Sequence, residues 1–317
     1  MSFSISRSLQ NGLDLVVLKD NDLETEIAVL PAFGALLHAF KVKLNEELFN
    51  IIDNYKSFEE AEKFIGVNFK SPKLSPFPCR IPEGRYTIEG KEFEFTNKFM
   101  DGSAIHGLLY KSSFEIVDEY ADEIMACLIL KYDYIKEDDG YPFDYCCEVR
   151  YLLKSNNLLT IETVISNLDE TEIPLADGWH PYFRLGGSVN NWTLQFNAGQ
   201  IVEFNDKLIP TGNLISYDSF SEPIALGNTI LDNCFLPKQN PGESVCQLFN
   251  PEKNIGIDFF ADESYPYLQI YTPDDRQSIA IENLSGAPNC FNNKMGLIML
   301  KPRHSQTFTV QYQVKVG

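Results

Sequence analysis

Titratable side chains stand in this sequence where the backbone is held stiff. Asp177-Gly178-Trp179-His180-Pro181-Tyr182-Phe183 sets a histidine directly before a proline and two aromatics. Proline keeps its own φ near about −65° and pushes the preceding residue out of the helical region. His180 is therefore expected at an extended strand end, aimed in one direction. Tyr182 and Phe183 offer flat apolar surface beside it, of the kind that stacks on the C–H face of a sugar ring. An imidazole beside such a platform suits general acid or base work; a strand-end histidine bonded to a backbone carbonyl fits the same pattern.

Four more residues share this double reading. Arg80 lies in the run 75–86, where Pro76, Pro78, Pro82 and Gly84 make a rigid, irregular loop. A guanidinium on a stiff loop suits donation to hydroxyls, or pairing with a surface acid. His106 follows Ser103 and Ala104 and precedes Gly107, so the backbone there can approach something closely. Asp232 sits between apolar neighbours and suits sugar hydroxyls, a histidine to orient, or an Asx-turn. Glu282 ends the apolar run 278–282, before a loop through Gly286-Ala287-Pro288. A carboxylate at the mouth of a buried strand has its pKa raised towards neutral, or it caps a turn. His38, inside an apolar segment, is expected as a core histidine.

The elements that must hold these residues read almost wholly as strands. Runs 13–18, 25–30, 113–120, 124–134, 147–153, 158–168, 255–260, 267–271 and 308–314 alternate or carry Val, Ile, Tyr and Thr. Residues 86–95 read as a hairpin about Gly90, and Gly34 as a bulge or close backbone approach. Residues 206–212 read as a turn, and 57–64 as one short exposed helix. With 317 residues, 44% of them apolar, the chain is long enough for a large core. No linker, composition break or repeat divides it, so one all-β domain over 1–317 is expected.

A net charge of −19 and a pI near 4.6 argue against nucleic acid and anionic membranes as partners. The first twenty residues lack the pattern of a signal peptide, and no apolar run reaches membrane-spanning length. Seven cysteines, with no C-x-x-C pair or zinc-site spacing, read as reduced thiols of a cytoplasmic protein. Adjacent Cys146 and Cys147 face opposite sides of a strand.

Taken in order, several pieces resemble the aldose 1-epimerase (galactose mutarotase) family. They are Phe33-Gly34-Ala35, Pro78-Cys79-Arg80-Ile81 with Gly84, Ile105-His106-Gly107 and His180-Pro181-Tyr182-Phe183. Ile209-Pro210-Thr211-Gly212, Leu231-Asp232, and Glu282 with Pro288 continue the set. Cys79 and Arg184 stand where the galactose enzymes carry Asn, and the Pro-Phe-Pro loop is similar to a divergent branch of the superfamily.

The resemblance implies a large antiparallel β-sandwich with few short helices and a sugar cleft on one sheet. It implies His180 as general acid, Glu282 as general base, and His106 and Arg80 on the sugar and its developing charge. Asp232 and Tyr182 are implied sugar contacts. The reaction would interconvert α and β anomers of a free hexose by proton transfer, with no cofactor and no metal expected. A hexose-6-phosphate mutarotase is one alternative, needing a further cation such as Arg85, Arg184 or Lys73. A non-catalytic sugar-binding or sugar-sensing protein is another. A glycoside hydrolase fits less well, since it normally needs two carboxylates about the scissile bond. The expected partner is a small-molecule sugar, and the expected state a monomer or homodimer.

Overall fold

A computed structural model describes residues 1–317. Its largest sheet has nine strands and is built from the alternating runs. Residues Asp144–Lys154 bury every second side chain, Tyr145 through Leu153, and leave the intervening ones half-buried. They pair with Met125–Ile135 on one side and Leu158–Asn167 on the other, both antiparallel. Ser305–Val316 then joins Leu158–Asn167 to Ile255–Ala261, so the last strand of the chain closes the middle of the sheet. Cys147 faces the core and Cys146 the other face, as a strand dictates.

A second sheet of eight strands packs against the first. In spatial order it runs Pro210–Ser216, Ala198–Phe204, Asp232–Pro237, Tyr267–Tyr271, Ile279–Leu284, Gly178–Trp179 and Lys73–Leu74, with Tyr182–Phe183 also paired to Ile279–Leu284. Phe183 reaches across to Phe259 at 4.9 Å and Tyr312 at 5.4 Å, and Trp179 meets Tyr151 at 6.0 Å. Aromatic pairs at these separations fill the space between two sheets. The protein is thus an all-β antiparallel sandwich. A five-stranded meander, Phe3–Gln10 to Glu47–Asn50, completes it.

Several local expectations change. The helix runs Phe58–Asn68, longer than the exposed stretch suggested, with Ser57 accepting from the Glu60 amide as its N-cap. Residues 206–212 are not one turn: Pro210 already begins an edge strand, a place where its missing N–H does no harm. Gly34 marks a close approach, since a Cβ there would lie 2.9 Å from Tyr110 Cα. The bulge is four residues on, where His38 is the extra residue between Leu37 and Ala39. His38 is 5% exposed and accepts a hydrogen bond from Asn54 through its backbone carbonyl. Glu282 lies inside its strand rather than at the end.

Lys73 is also not where a phosphate-binding cation would be. It is fully buried between the sheets, bonded to the Asp177 carboxylate and, at 3.1 Å, to the Gly178 carbonyl. Its ammonium lies 4.3 Å from the Trp179 ring, and Tyr265 donates to the same carboxylate at 2.7 Å. This cluster locks Lys73–Leu74 beside Gly178–Trp179, one residue before His180.

Candidate active site

The eight-stranded sheet presents three polar side chains in a row across neighbouring strands. Glu282 on Ile279–Leu284 stands in register with Gln269 on Tyr267–Tyr271. Asp232, which opens the next strand, is diagonal to Gln269 and accepts from its Nε2 at 2.8 Å. Side chains on one face of a sheet repeat every second residue, so this row is fixed by the ladder. It floors a cleft of about 500 Å³.

The histidines come from irregular segments held by the backbone. The Ser71 amide donates to the His180 carbonyl at 2.9 Å, and Tyr182 pairs with Ala280 on the Glu282 strand. His180 is therefore anchored on both sides and its Nε2 lies 3.3 Å from Glu282 Oε1. His106 has φ +58° and is followed by Gly107 at +75°. A Cβ on Gly107 would lie 2.2 Å from the Ser75 carbonyl oxygen, so only glycine permits this turn. The Cys79 amide donates to His106 Nδ1 at 3.2 Å, which leaves the ring proton on Nε2. His106 and His180 meet edge to face with centroids 4.9 Å apart. Arg80, paired in register with Ile105, lines the cleft and donates from Nε to Asp101 at 3.0 Å.

All six residues singled out in the sequence, His180, Glu282, His106, Arg80, Asp232 and Tyr182, line this one cleft. Gln269 and Lys70 line it too and were not expected. Gln269 had a signal: a polar residue within the apolar Tyr267–Tyr271 strand, the same oddity as Glu282 in its own. Lys70 had none, since it follows the helix in a short exposed-looking connection; it pairs with Asp53 at 2.8 Å.

Burial dominates the electrostatics. It pushes the Glu282 carboxyl well above its ordinary range, and the Asp232 charge adds to this. It pulls His180 down to about 4. His106 is also held well below its ordinary range, by burial first and then by His180 and Arg80. Each shift disfavours the charged form of a desolvated group. Burial thus biases both imidazoles towards the neutral form and the Glu282 carboxyl towards the protonated one, with His180 Nε2 3.3 Å from Glu282 Oε1. Glu282 Oε2, His180 Nδ1 and Gln269 Oε1 are buried without a protein partner. Such atoms cost about 1–3 kcal/mol each, which hydroxyls of a bound polyol would offset.

His106, His180 and Glu282 also offer ligand atoms within 4.8 Å of one another. The donor set nevertheless suits a metal poorly. A histidine that binds metal donates its other ring N–H to an acceptor, whereas His106 accepts there from the Cys79 amide. Metal at Nε2 would turn a proton towards that amide, and metal at Nδ1 would take its acceptor.

Among curated relatives, the Escherichia coli protein YihR is 27% identical over 236 residues, 72% of this chain and 73% of its own. The bifunctional protein GAL10 of Kluyveromyces lactis is 26% identical over 249 residues, 70% of this chain and 35% of its own length. A galactose mutarotase-like protein from Clostridium acetobutylicum superposes with a TM-score of 0.87 at 20% identity, covering 100% of this chain and 99% of that one. Galactose 1-epimerase from Lactobacillus acidophilus does so with a TM-score of 0.82 at 18% identity, covering 99% of each chain. At these identities the structural likeness speaks for the fold. No helix is long and apolar enough to cross a membrane. The aldose 1-epimerase model matches residues 14–313, a span that holds both sheets and the whole cleft, so this chain belongs to the aldose 1-epimerase family and a general mutarotase-type epimerase activity goes with it.

Proposed function

We propose that the protein interconverts the α and β anomers of a free hexose of the glucose or galactose kind. The observation that carries this is the buried contact of His180 Nε2 with Glu282 Oε1 at 3.3 Å, on the floor of a polar cleft. Glu282 as carboxylate takes the proton of the C1 hydroxyl while His180 as imidazolium protonates the ring oxygen. The C1–O5 bond breaks, C1 becomes the aldehyde carbon, and rotation about C1–C2 exposes its other face. Reversal closes the ring as the opposite anomer. Each positioned acid or base contributes ~10²–10⁴-fold. After opening, Glu282 is protonated and His180 neutral, the forms that burial favours. Before the first step one proton passes from Glu282 to His180 across the 3.3 Å contact to form the reactive ion pair; reclosure, with Glu282 protonating the C1 oxygen and His180 taking the O5 proton, restores that pair.

His106 acts as a fixed Nε2–H donor, since the Cys79 amide holds its other nitrogen as acceptor. Arg80 faces the developing charge, and Asp232 with Gln269 takes hydroxyls. The charges of the cleft favour an unphosphorylated sugar. Its two cations, Lys70 and Arg80, already pair with Asp53 and Asp101, while Asp232 and Asp275 add acid to the lining. Arg85 points to Glu94 and Glu83 outside it, and Arg184 is exposed and no part of the lining. Seven unpaired thiols support a reducing, cytoplasmic setting.

Polarimetry on fresh α-D-glucose, α-D-galactose and glucose 6-phosphate, with wild type and Glu282→Gln side by side, tests the reading. Faster relaxation of a free hexose by wild type and its loss in the variant are expected. Relaxation of the phosphate alone would move the substrate to the phosphorylated class. No acceleration of any sugar, with binding seen by calorimetry, would leave a sugar-binding protein.

A further inference from the structure

The sequence pattern makes Tyr182 a platform for the sugar, but its ring is engaged by the protein. It lies in offset stack on the His180 imidazole, with centroids 4.9 Å apart and planes 17° from parallel. Tyr271 meets it edge-on at 6.4 Å and 90°. Tyr182 is 6% exposed, so little ring face remains for a ligand.

Stacking on an imidazole matters most where the imidazole must become charged. Other groups around His180 give that charge limited support. Glu282, from Ile279–Leu284, attracts it and is also the group that can take its proton. His106, edge-on from the Ala104–Ile105 segment, disfavours a second charge beside it, and Arg80 adds positive charge behind His106. Asp232 acts on Glu282 rather than on His180. Lys70, on the segment that bonds the His180 carbonyl, is paired with Asp53. An aromatic face differs from all of these: its quadrupole stabilises a cation and offers no acceptor that removes the proton.

We propose that Tyr182 is a positioning residue for His180, the π face against which the charged imidazole forms, and that it acts on the proton-donating step more than on sugar binding. The inference rests on the mutarotase reading for its catalytic consequence only. A desolvated cation–π contact changes the population of the charged form by about 5- to 30-fold. Replacing Tyr182 by a residue without a π face makes imidazolium scarcer at any given pH, so the His180 midpoint falls.

The test compares Tyr182→Phe with Tyr182→Leu and Tyr182→Met, the last an unbranched filler in case the leucine variant folds poorly. Polarimetry gives kcat and KM, and imidazole ¹⁵N NMR gives the His180 titration midpoint. The Leu and Met variants are expected to lose about 5- to 30-fold in kcat with KM within about twofold, and to titrate at lower pH. Tyr182→Phe is expected to recover the midpoint and most of kcat. An unmoved midpoint in Leu and Met overturns the proposal, as does a phenylalanine variant as impaired as they are. So does a rise in KM at unchanged kcat, which would return Tyr182 to the sugar. The midpoint needs no turnover: a wild type that accelerates no sugar defeats the mutarotase reading, while the titration still judges the stack.

Discussion

Asp144–Lys154 in the nine-stranded sheet buries alternate residues, whereas Ile279–Leu284 in the eight-stranded sheet buries all six. The first strand faces the core on one side only, so its polar positions reach water. The second is covered on both sides, by the core and by the cleft, so its polar positions do not. Glu282 and Gln269 are therefore desolvated yet incompletely bonded, a condition that folding alone disfavours. The nine-stranded sheet carries a polar row of its own, Gln247, Asp258 and Gln313, but there the carboxylate is bonded, to Gln247 at 3.0 Å and to Lys315. Stability is gathered in one sheet and departed from in the other, the division expected where a rigid scaffold positions reactive groups.

The largest test of that division is catalytic. Glu282→Gln keeps the shape and burial of the side chain and removes its basicity. Turnover should fall by ~10² or more while the urea midpoint does not fall, because no packing is lost and a buried ionisable group is removed. A midpoint lowered along with kcat would mean that Glu282 serves the fold. The mirror substitution is Phe308→Ala, in Ser305–Val316, where the ring is fully buried in the nine-stranded sheet. It should cost about 3–5 kcal/mol in denaturant unfolding and leave turnover per folded molecule unchanged. Loss of turnover at full occupancy of the folded state would couple the sheets more tightly than their division allows.

The same contrast shows in two histidines. Burial pulls both His38, in the meander, and His180, in the cleft, down to about 4. Lysine 41 adds to the effect at His38. A histidine lowered in the folded state binds its proton first in the unfolded chain. Its contribution is thus intact above the unfolded value of about 6.5 and is lost as pH falls towards 4. Over that window His38 alone accounts for a loss of up to ~3 kcal/mol. His38→Gln should therefore flatten the fall of the urea midpoint between pH 6.5 and 4 and leave turnover at neutral pH in place. Parallel pH profiles for variant and wild type would remove His38 from the acid sensitivity. Glu282 works in the opposite sense, since a raised carboxyl loses stability as pH rises above its unfolded value.

Legibility in the sequence followed the same line. Strands of the nine-stranded sheet were readable from period-two alternation, because each has one wet face: the run 147–153 lies within Asp144–Lys154, and 158–168 nearly matches Leu158–Asn167. The cleft strands are covered on both faces and lose that alternation, so Glu282 was placed at a strand end rather than within it. Its chemistry and that of His180, His106, Arg80 and Asp232 was visible as residue types in stiff settings, sharpened by the ordered motifs of a family. Gln269 is visible locally only as a polar residue in an apolar strand; its pairing with Glu282 comes from cross-strand register, which no local window contains. Lys73 reads as a cleft cation in the sequence because a two-residue strand has too few positions to show which face its side chain takes.

Arg85 gives the smallest expected effect and the sharpest check on the charge of the cleft. It stands 63% exposed, bonded to Glu94 at 2.9 Å and near Glu83 at 3.5 Å. A surface pair of this kind contributes little, because solvent screens both charges and two long side chains must be ordered to meet. Arg85→Ala should leave kcat/KM for a free hexose within about twofold of wild type. It should also leave any rate on glucose 6-phosphate unchanged, since the guanidinium lies outside the lining. If Arg85→Ala instead abolished a rate on the phosphate and spared the free hexose, the cleft would extend past its present wall. The acidic surplus around Asp232 and Asp275 would then no longer decide the substrate, and phosphorylated sugars would re-enter on the strength of one arginine.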